Sequence, residues 1–442
     1  MNSRTHRGTH SSIDSGPGAT AGSASAAAIT RRRFVAGAAG SALAAQAPWV
    51  RSQKRPRLRV LGTHVTLRET LRQRAMADLG IDIVYEPRGE GELVHKASTR
   101  PDSYDVYEQW TDSIRQLWRA DAIQPIDTER LEYWSEINSL SRTGRLTPDA
   151  KLGLGDAPHR ILNVQSDGGL GEDYTGKISF LPYVHNVDSF GYNTDVIPRG
   201  IPYETESWSW LLDPAWRGRV GIINAPTIGL FDLALAVASL GLMQFRDMSD
   251  MSVAELDELF AILRDYKRDG QFGAFWGSVP QSVEFMTSGR VVIESMFSPG
   301  VATANGLGTP VAYAAPKEGY RGWHGVMCLS RECRGEALDA AYKYMNWWLS
   351  GWPGAFISRQ GYYISNPQRS RPLMTENEWA YWYEGQPTRE PLPDPDGNIA
   401  VPVGAVRNGG SYERRFKDVA VWNTVMNNYE YSLQRWYELL LA

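Results

Sequence analysis

Between Leu58 and Tyr107 the chain switches repeatedly between strand-length and helix-length hydrophobic patterns, and that alternation restricts its fold more than any other feature. Leu58 to Leu61 is a short apolar run, the turn Gly62-Thr63-His64 follows, and Leu67, Leu71, Ala75 and Leu79 then recur every four residues as the buried stripe of a helix. A strand Ile81 to Tyr85, a helix near Glu92 to Ser98 and a strand Asp105 to Tyr107 complete a βαβαβ unit. A helix that returns the chain over a sheet between successive strands makes those strands parallel, so an α/β fold is expected. Ligands of such sheets sit beyond the carboxyl ends of the strands. That makes the loops Gly62 to Thr66 and Glu108 to Asp112 the first cleft candidates, with Thr63, His64, Trp110, Thr111 and Asp112 among them. Asp112 precedes Ile114, Leu117 and Trp118, so it also stands where a helix N-cap belongs.

The middle of the chain carries a second constraint. Phe180 to Ile197 starts apolar, passes through Pro182-Tyr183, exposes the polar set His185, Asn186 and Asp188, and ends on Gly191-Tyr192-Asn193. An extended segment of this kind suits a strand that leaves one lobe and enters another, with a cleft beside it. Ser207 to Leu212 reads as a short helix and Val220 to Ile223 as a buried strand. Asn224-Ala225-Pro226-Thr227 opens a helix whose free N–H groups would face the cleft near Thr227, with nothing acidic from Ala225 to Gly229. Ser252 and Glu255 form a capping box ahead of Leu256, Leu259, Phe260 and Leu263. The strand Val291 to Glu294 leads to a loop with Phe297, and another strand is expected at Pro310 to Ala314. Gly322-Trp323-His324-Gly325 precedes the strand Val326 to Leu329, and its glycines permit close backbone approach to a ligand or a tight turn. A helix Glu336 to Leu349, a polar aromatic turn at Gly361-Tyr362-Tyr363, and a closing helix carrying Val419, Trp422, Met426, Tyr429, Leu433, Trp436 and Leu440 complete the pattern.

Composition excludes some classes of function. At 442 residues with a net charge of -4, the chain buries a large core and has no basic stripe for nucleic acid. Sixteen Trp and 21 Tyr supply flat walls for a small ligand. Residues 1 to 50 read as an N-terminus outside the fold. Arg31-Arg32-Arg33-Phe34 before the Ala/Gly-rich run Val35 to Ala47 resembles a twin-arginine export signal, cleaved near Ala44 to Ala47, and places the protein in the periplasm. Cys328 and Cys333 are the only cysteines; an oxidising compartment permits a bridge, while folding before export does not require one. Residues 139 to 178 are rich in Gly, Asp, Ser and Pro and read as a long loop or small insertion. The run Gly171 to Lys177 has phosphate-loop spacing, but Ile178 stands where Ser or Thr would bind magnesium, so no nucleotide site is expected.

Several short runs occur in an order that resembles a known family. They are Ser103-Tyr104-Asp105-Val106, Asp121 to Asp127, Pro182-Tyr183 with Gly191-Tyr192-Asn193, Trp208 to Trp216 before Arg217-Gly218, Ala315 to Gly319, and Gly361-Tyr362. From Leu58 onward the chain resembles periplasmic solute-binding proteins of the spermidine/putrescine type, which serve ABC importers. The resemblance implies a two-lobed, type II periplasmic-binding-protein fold, each lobe a mostly parallel sheet flanked by helices, with hinge strands between them. Residues 56–184 plus 323–368 would form one lobe and 185–322 plus 369–442 the other. It also implies a small-molecule ligand, a membrane permease as partner, a monomer, and no cofactor.

Carried across by this resemblance, Trp323 matches an aromatic wall, Tyr362 a cleft tyrosine and Asn423 an amide position. The family's amine-gripping carboxylates fall on Pro226, Gly229 and Gly325, and its Trp-Thr pair falls on Thr63-His64. Asp112 restores one acid. The expected ligand contacts are therefore Thr63, His64, Trp110, Thr111, Asp112, His185, Thr227, Phe297, Trp323, His324, Tyr362 and Asn423. A polyamine-like solute is the first reading. The lost acids and the three histidines leave a carboxylate or other anion open, and Tyr362 with Tyr363 and histidines leaves ferric iron open. No catalytic elbow, zinc signature or cofactor fingerprint is present, so a binding protein is expected rather than an enzyme.

Overall fold

The computed structural model describes residues 55–442, so the expected twin-arginine signal lies outside the described residues. Two sets of parallel strands flank a pair of long central ones. One set is Arg57–Gly62 with Asp82–Pro87 and Val106–Trp110 on either side, and the other is Val220–Ile223 between Phe272–Trp276 and Ile293–Met296. The helices Glu69–Leu79 and Glu90–Thr99 make the right connections for the first set, as the sequence alternation requires.

The central pair, Leu181–Asn193 and Tyr320–Ser330, runs antiparallel with His185 opposite His324, Asn186 opposite Trp323, and Asp188 opposite Arg321. Each strand changes partner along its length. Leu181–Asn193 pairs with Tyr320–Ser330 first and with Ile293–Met296 and Val311–Tyr313 later. The far end of Tyr320–Ser330 pairs with Val106–Trp110. The mid-chain stretch therefore belongs to both sheet halves, and it is buried along nearly its whole length. Buried residues accordingly gather into separate cores. One holds Leu58, Val60, Val106, Leu181, Val326 and Trp348; a second holds Phe190, Trp208, Val220, Leu233, Leu256 and Trp436. The structure is a two-lobed mixed α/β fold.

Local chemistry explains individual elements. The capping box at Ser252 and Glu255 is present and starts Val253–Arg268. Helix Pro226–Ser239 begins with proline, is buried on almost every side, and lies so close to the preceding strand that a Cβ on Gly229 would sit 2.3 Å from the Ile223 carbonyl. Gly325 stands at a bulge between His324 and Val326, where a Cβ would press on the Val184 carbonyl and the Tyr183 ring. These two glycines serve backbone packing, which accounts for the lack of an acid at either position.

Three expectations change. The closing helix is shorter than its apolar spacing suggests: Val419–Trp422 is a strand parallel to Tyr320–Ser330, and the helix spans Tyr429–Leu441. Val419 and Trp422 fit a helical period, but buried Val419 and Val421 follow a strand period, and pairing with Tyr320–Ser330 selects the strand. The segment 139–178 contains short helices and contributes to a four-stranded sheet with Ile126–Asp127 rather than forming a bare loop. Lys177 pairs with Asp127. The N-cap of the helix Ile114–Arg119 is Ser113, while Asp112 lies in the 3-10 turn Thr111–Ser113 before it. Cys328 and Cys333 are both free and buried, and burial pushes the Cys333 thiol up to about 12. Among the described residues no helix is long and apolar enough to cross a membrane.

Two buried acids make stability depend on pH. Burial pushes Glu108 up to about 7, against hydrogen bonds from Tyr344 and Tyr183, and Glu294 up to about 8, against one from Ser282. Both native values exceed the ordinary one near 4.5, so the folded state holds more protons than the unfolded chain between these limits. Stability is therefore highest on the acid side of this window and falls as pH rises through 7 to 8. In thermal melts at pH 5 and pH 9, Glu294→Gln is expected to lose less Tm between the two than the parent chain; equal losses would remove Glu294 as a cause.

Candidate functional site

A cavity of about 990 Å³ opens beside the central strands. Trp110, Asp112 and Ser113 approach it from the end of Val106–Trp110, as expected for the carboxyl end of a parallel strand. Val94 and His95 of the helix Glu90–Thr99 and Val65 of the first turn add to this side. Asn224 to Ile228, Trp276 and Phe297 line it from the ends of the second strand set, and Tyr429, Leu433 and Tyr437 of the last helix also contribute. Asp188, Trp323, Tyr362 and Asn423 also line it, and Glu430 of the last helix adds a further carboxylate.

Aromatic rings form two walls. Trp323 meets Trp110 edge-on with centroids 4.6 Å apart and Tyr362 at 5.4 Å, so three rings support one another. Trp276 and Phe297 make a second edge-to-face pair at 5.4 Å. The Trp276 indole donates to the Ser295 carbonyl at 3.0 Å, and Asn224 accepts from the Trp436 indole at 2.9 Å, which fixes both residues.

Asp188 stands on a buried charge network. The Arg321 side chain is fully buried; its Nε donates to Asp232 at 2.8 Å, while Nη1 reaches Asn423 at 3.1 Å and Asp188 only at 3.5 Å. Asp232 also accepts from Ser295, and the Tyr313 hydroxyl donates to Asp188 at 3.1 Å. Burial dominates at Asp188 and pushes it up to about 6; Arg321 pulls it down, with smaller downward pulls from Tyr313 and Arg415, and Asp232 pushes it up. Arg321 is thus held chiefly by Asp232, and the carboxylate that faces the cavity is under-compensated.

Of the expected contacts, Trp110, Asp112, Thr227, Phe297, Trp323, Tyr362 and Asn423 come together around this cavity. His185 and His324 do not. They lie on the opposite face of the central strands, stacked with ring centroids 4.8 Å apart. The Nε2 atom of His185 bonds the Tyr412 hydroxyl at 2.8 Å, and that of His324 bonds the Ser141 hydroxyl at 3.1 Å. Burial lowers His185 to about 3 and holds His324 well below its ordinary value, so both rings are neutral packing groups. Asn186 is also buried and donates to the Gly361 carbonyl. His64 is exposed, Thr63 is half-buried with its hydroxyl near the Val65 N–H, and Thr111 is buried; none of the three lines the cavity. Tyr363 lies away from Tyr362, packed on His185 with its hydroxyl donating to the Trp382 carbonyl, so the two tyrosines do not converge on one point. Among the described residues no cluster of His, Cys, Asp or Glu is arranged to hold a metal ion.

The sequence reading passed over Asn224, Trp276, His95, Tyr429 and Tyr437 as site residues. Asn224 and Trp276 sit at the carboxyl ends of parallel strands, the same positional signal that singled out Trp110.

Residues 71–371 match the family described as bacterial extracellular solute-binding protein. Among solved structures, the chain is similar to a putative spermidine/putrescine ABC transporter protein from Listeria monocytogenes, with TM-score 0.61 and 16% identity over 87% of this chain and 99% of that one. A spermidine/putrescine transporter substrate-binding protein from Streptococcus pneumoniae gives TM-score 0.58 and 15% identity over 87% of this chain and 97% of that one. A lipoprotein of Treponema pallidum gives TM-score 0.59 and 15% identity over 87% and 99%.

Proposed function

The chain belongs to the bacterial extracellular solute-binding protein family, and we propose that it captures a small organic amine in the cleft and delivers it to the permease of an ABC importer. One observation carries the choice of ligand: Asp112 and Asp188 line the same aromatic cavity as Trp110, Trp323 and Tyr362, and no Lys or Arg is among the described residues that line it. An ammonium group leaving water needs a buried carboxylate and gains from an aromatic face. The two central histidines, neutral and outside the cleft, offer nothing to an anion. Residues 56–184 plus 323–368 and residues 185–322 plus 369–442 act as the two lobes, closing about the central strands. The mature protein works as a monomer in the periplasm after twin-arginine export.

A second reading rests on the start of helix Pro226–Ser239. Its N-cap, Ala225, supplies no side-chain hydrogen bond, and no acid occupies the first turn, which suits a carboxylate. An ω-amino acid would satisfy this end and the acids together.

Titration followed by tryptophan fluorescence tests the amine reading, since Trp110 and Trp323 line the cleft. Putrescine is expected to change the emission saturably. A bound ammonium favours ionised Asp188, so binding below pH 6 must release its proton. Affinity is then level from about pH 8 to 6.5 and weakens by up to about tenfold per pH unit below about 6. A flat profile from pH 8 to 5 would mean that Asp188 does not hold the amine.

A further inference from the structure

The small insertion at 139–178 carries a second cavity, of about 520 Å³, that the cleft does not use. Arg142, Arg145, His159 and Glu172 are the ionisable groups that line it. His159 is only 5% exposed, yet both ring nitrogens lack a hydrogen-bond partner; the Glu172 carboxylate lies 3.6 Å from Nε2. A buried imidazole with no partner is costly, and here it lines an open cavity. Arg142 and Arg145 are exposed and form no ion pair with any described carboxylate. By contrast, Arg115 pairs with Asp156 and Arg369 with Glu136.

The loop geometry keeps these groups together. Gly144 ends the short helix Ser139–Thr143 in the left-handed region, at φ 73°, and a Cβ there would lie 2.4 Å from His159 Nδ1. Only glycine lets the turn close on the imidazole, with Arg142 and Arg145 on either side of it. Burial lowers His159 and Glu172 only partly restores it, so the ring is neutral near pH 7 and offers one N–H donor.

We propose that this cavity is a second binding site, for a small oxyanion of the phosphate or carboxylate class, held by the Arg142 and Arg145 guanidinium groups with an N–H from His159. Two guanidinium groups against one rim carboxylate leave a net positive charge, and both present the forked donors that match such oxygens. Glu172 limits affinity by repelling the anion. The site is separate from the cleft, although the helix Ser139–Thr143 also reaches the hinge through Ser141 and His324.

The test is calorimetric titration of the full mature chain with inorganic phosphate and with succinate at constant ionic strength. Saturable binding of at least one is expected, weakened tenfold or more in Arg142→Ala/Arg145→Ala and strengthened several-fold in Glu172→Gln. It should be unchanged in Asp188→Asn, whose substitution lies in the cleft. Phosphate alone binding would assign the site to phosphate esters, and succinate alone to organic acids. No saturable binding of either anion, or binding that ignores the arginine substitutions, would overturn the proposal. Retention of the parent Tm by the double variant separates loss of the site from loss of fold.

Discussion

Arg321→Met is expected to lower the stability of the protein by about 3–5 kcal/mol, as measured by urea unfolding. The reason lies in what the substitution leaves behind. Asp232 is fully buried and accepts from Arg321 at 2.8 Å, and Asp188 is nearly so, with the same guanidinium 3.5 Å away. Without the cation, two carboxylates stand within one low-dielectric pocket, and at least one must take up a proton. Adding Asp232→Asn to the variant removes one stranded charge and should recover a substantial part of the loss. A lone Arg321→Met variant as stable as the parent would show that the buried network is not ionised.

Asp188→Asn is expected to weaken putrescine binding by roughly 30-fold or more, the loss typical of removing one member of a buried charge pair. Stability should change far less than in Arg321→Met, because Arg321 keeps Asp232 as its partner. The pH dependence below about 6 should vanish with the affinity, since the group that titrates there is gone. Affinity that survives the substitution would move the ammonium site to Asp112 or Glu430. A Tm drop as large as that of Arg321→Met would instead make Asp188 a structural residue.

The contrast between these two substitutions also shows what could be read from the residues alone. The βαβαβ start, the strand Val220–Ile223, the proline-led helix after it and the capping box at Ser252 follow from local pattern, and the structure has each of them. Local pattern did not separate the two faces of the central strands. Side chains alternate along a strand, so His185 and Asp188 lie on opposite faces, and so do Trp323 and His324. Which face meets the cleft depends on the pairing of His185 with His324 and Asp188 with Arg321, a contact across more than a hundred residues. That register puts the histidines on the far face and Asp188 at the cavity. Arg321, the residue on which the network rests, reads in sequence as one more charge beside a glycine. The strand Val419–Trp422 was hidden for a similar reason, because a neighbouring edge rather than its own spacing decides its conformation.

The cleft is proposed to select an organic cation through Asp112 and Asp188 against an aromatic wall. Isothermal calorimetry at pH 7.5 with putrescine, 4-aminobutyrate and succinate, performed on Arg142→Ala/Arg145→Ala so that the second cavity is silent, tests it most directly. Putrescine is expected to bind saturably with one site, 4-aminobutyrate to bind if the start of helix Pro226–Ser239 also takes part, and succinate to give no saturable heat. Tight succinate binding with no response to either amine would contradict the account.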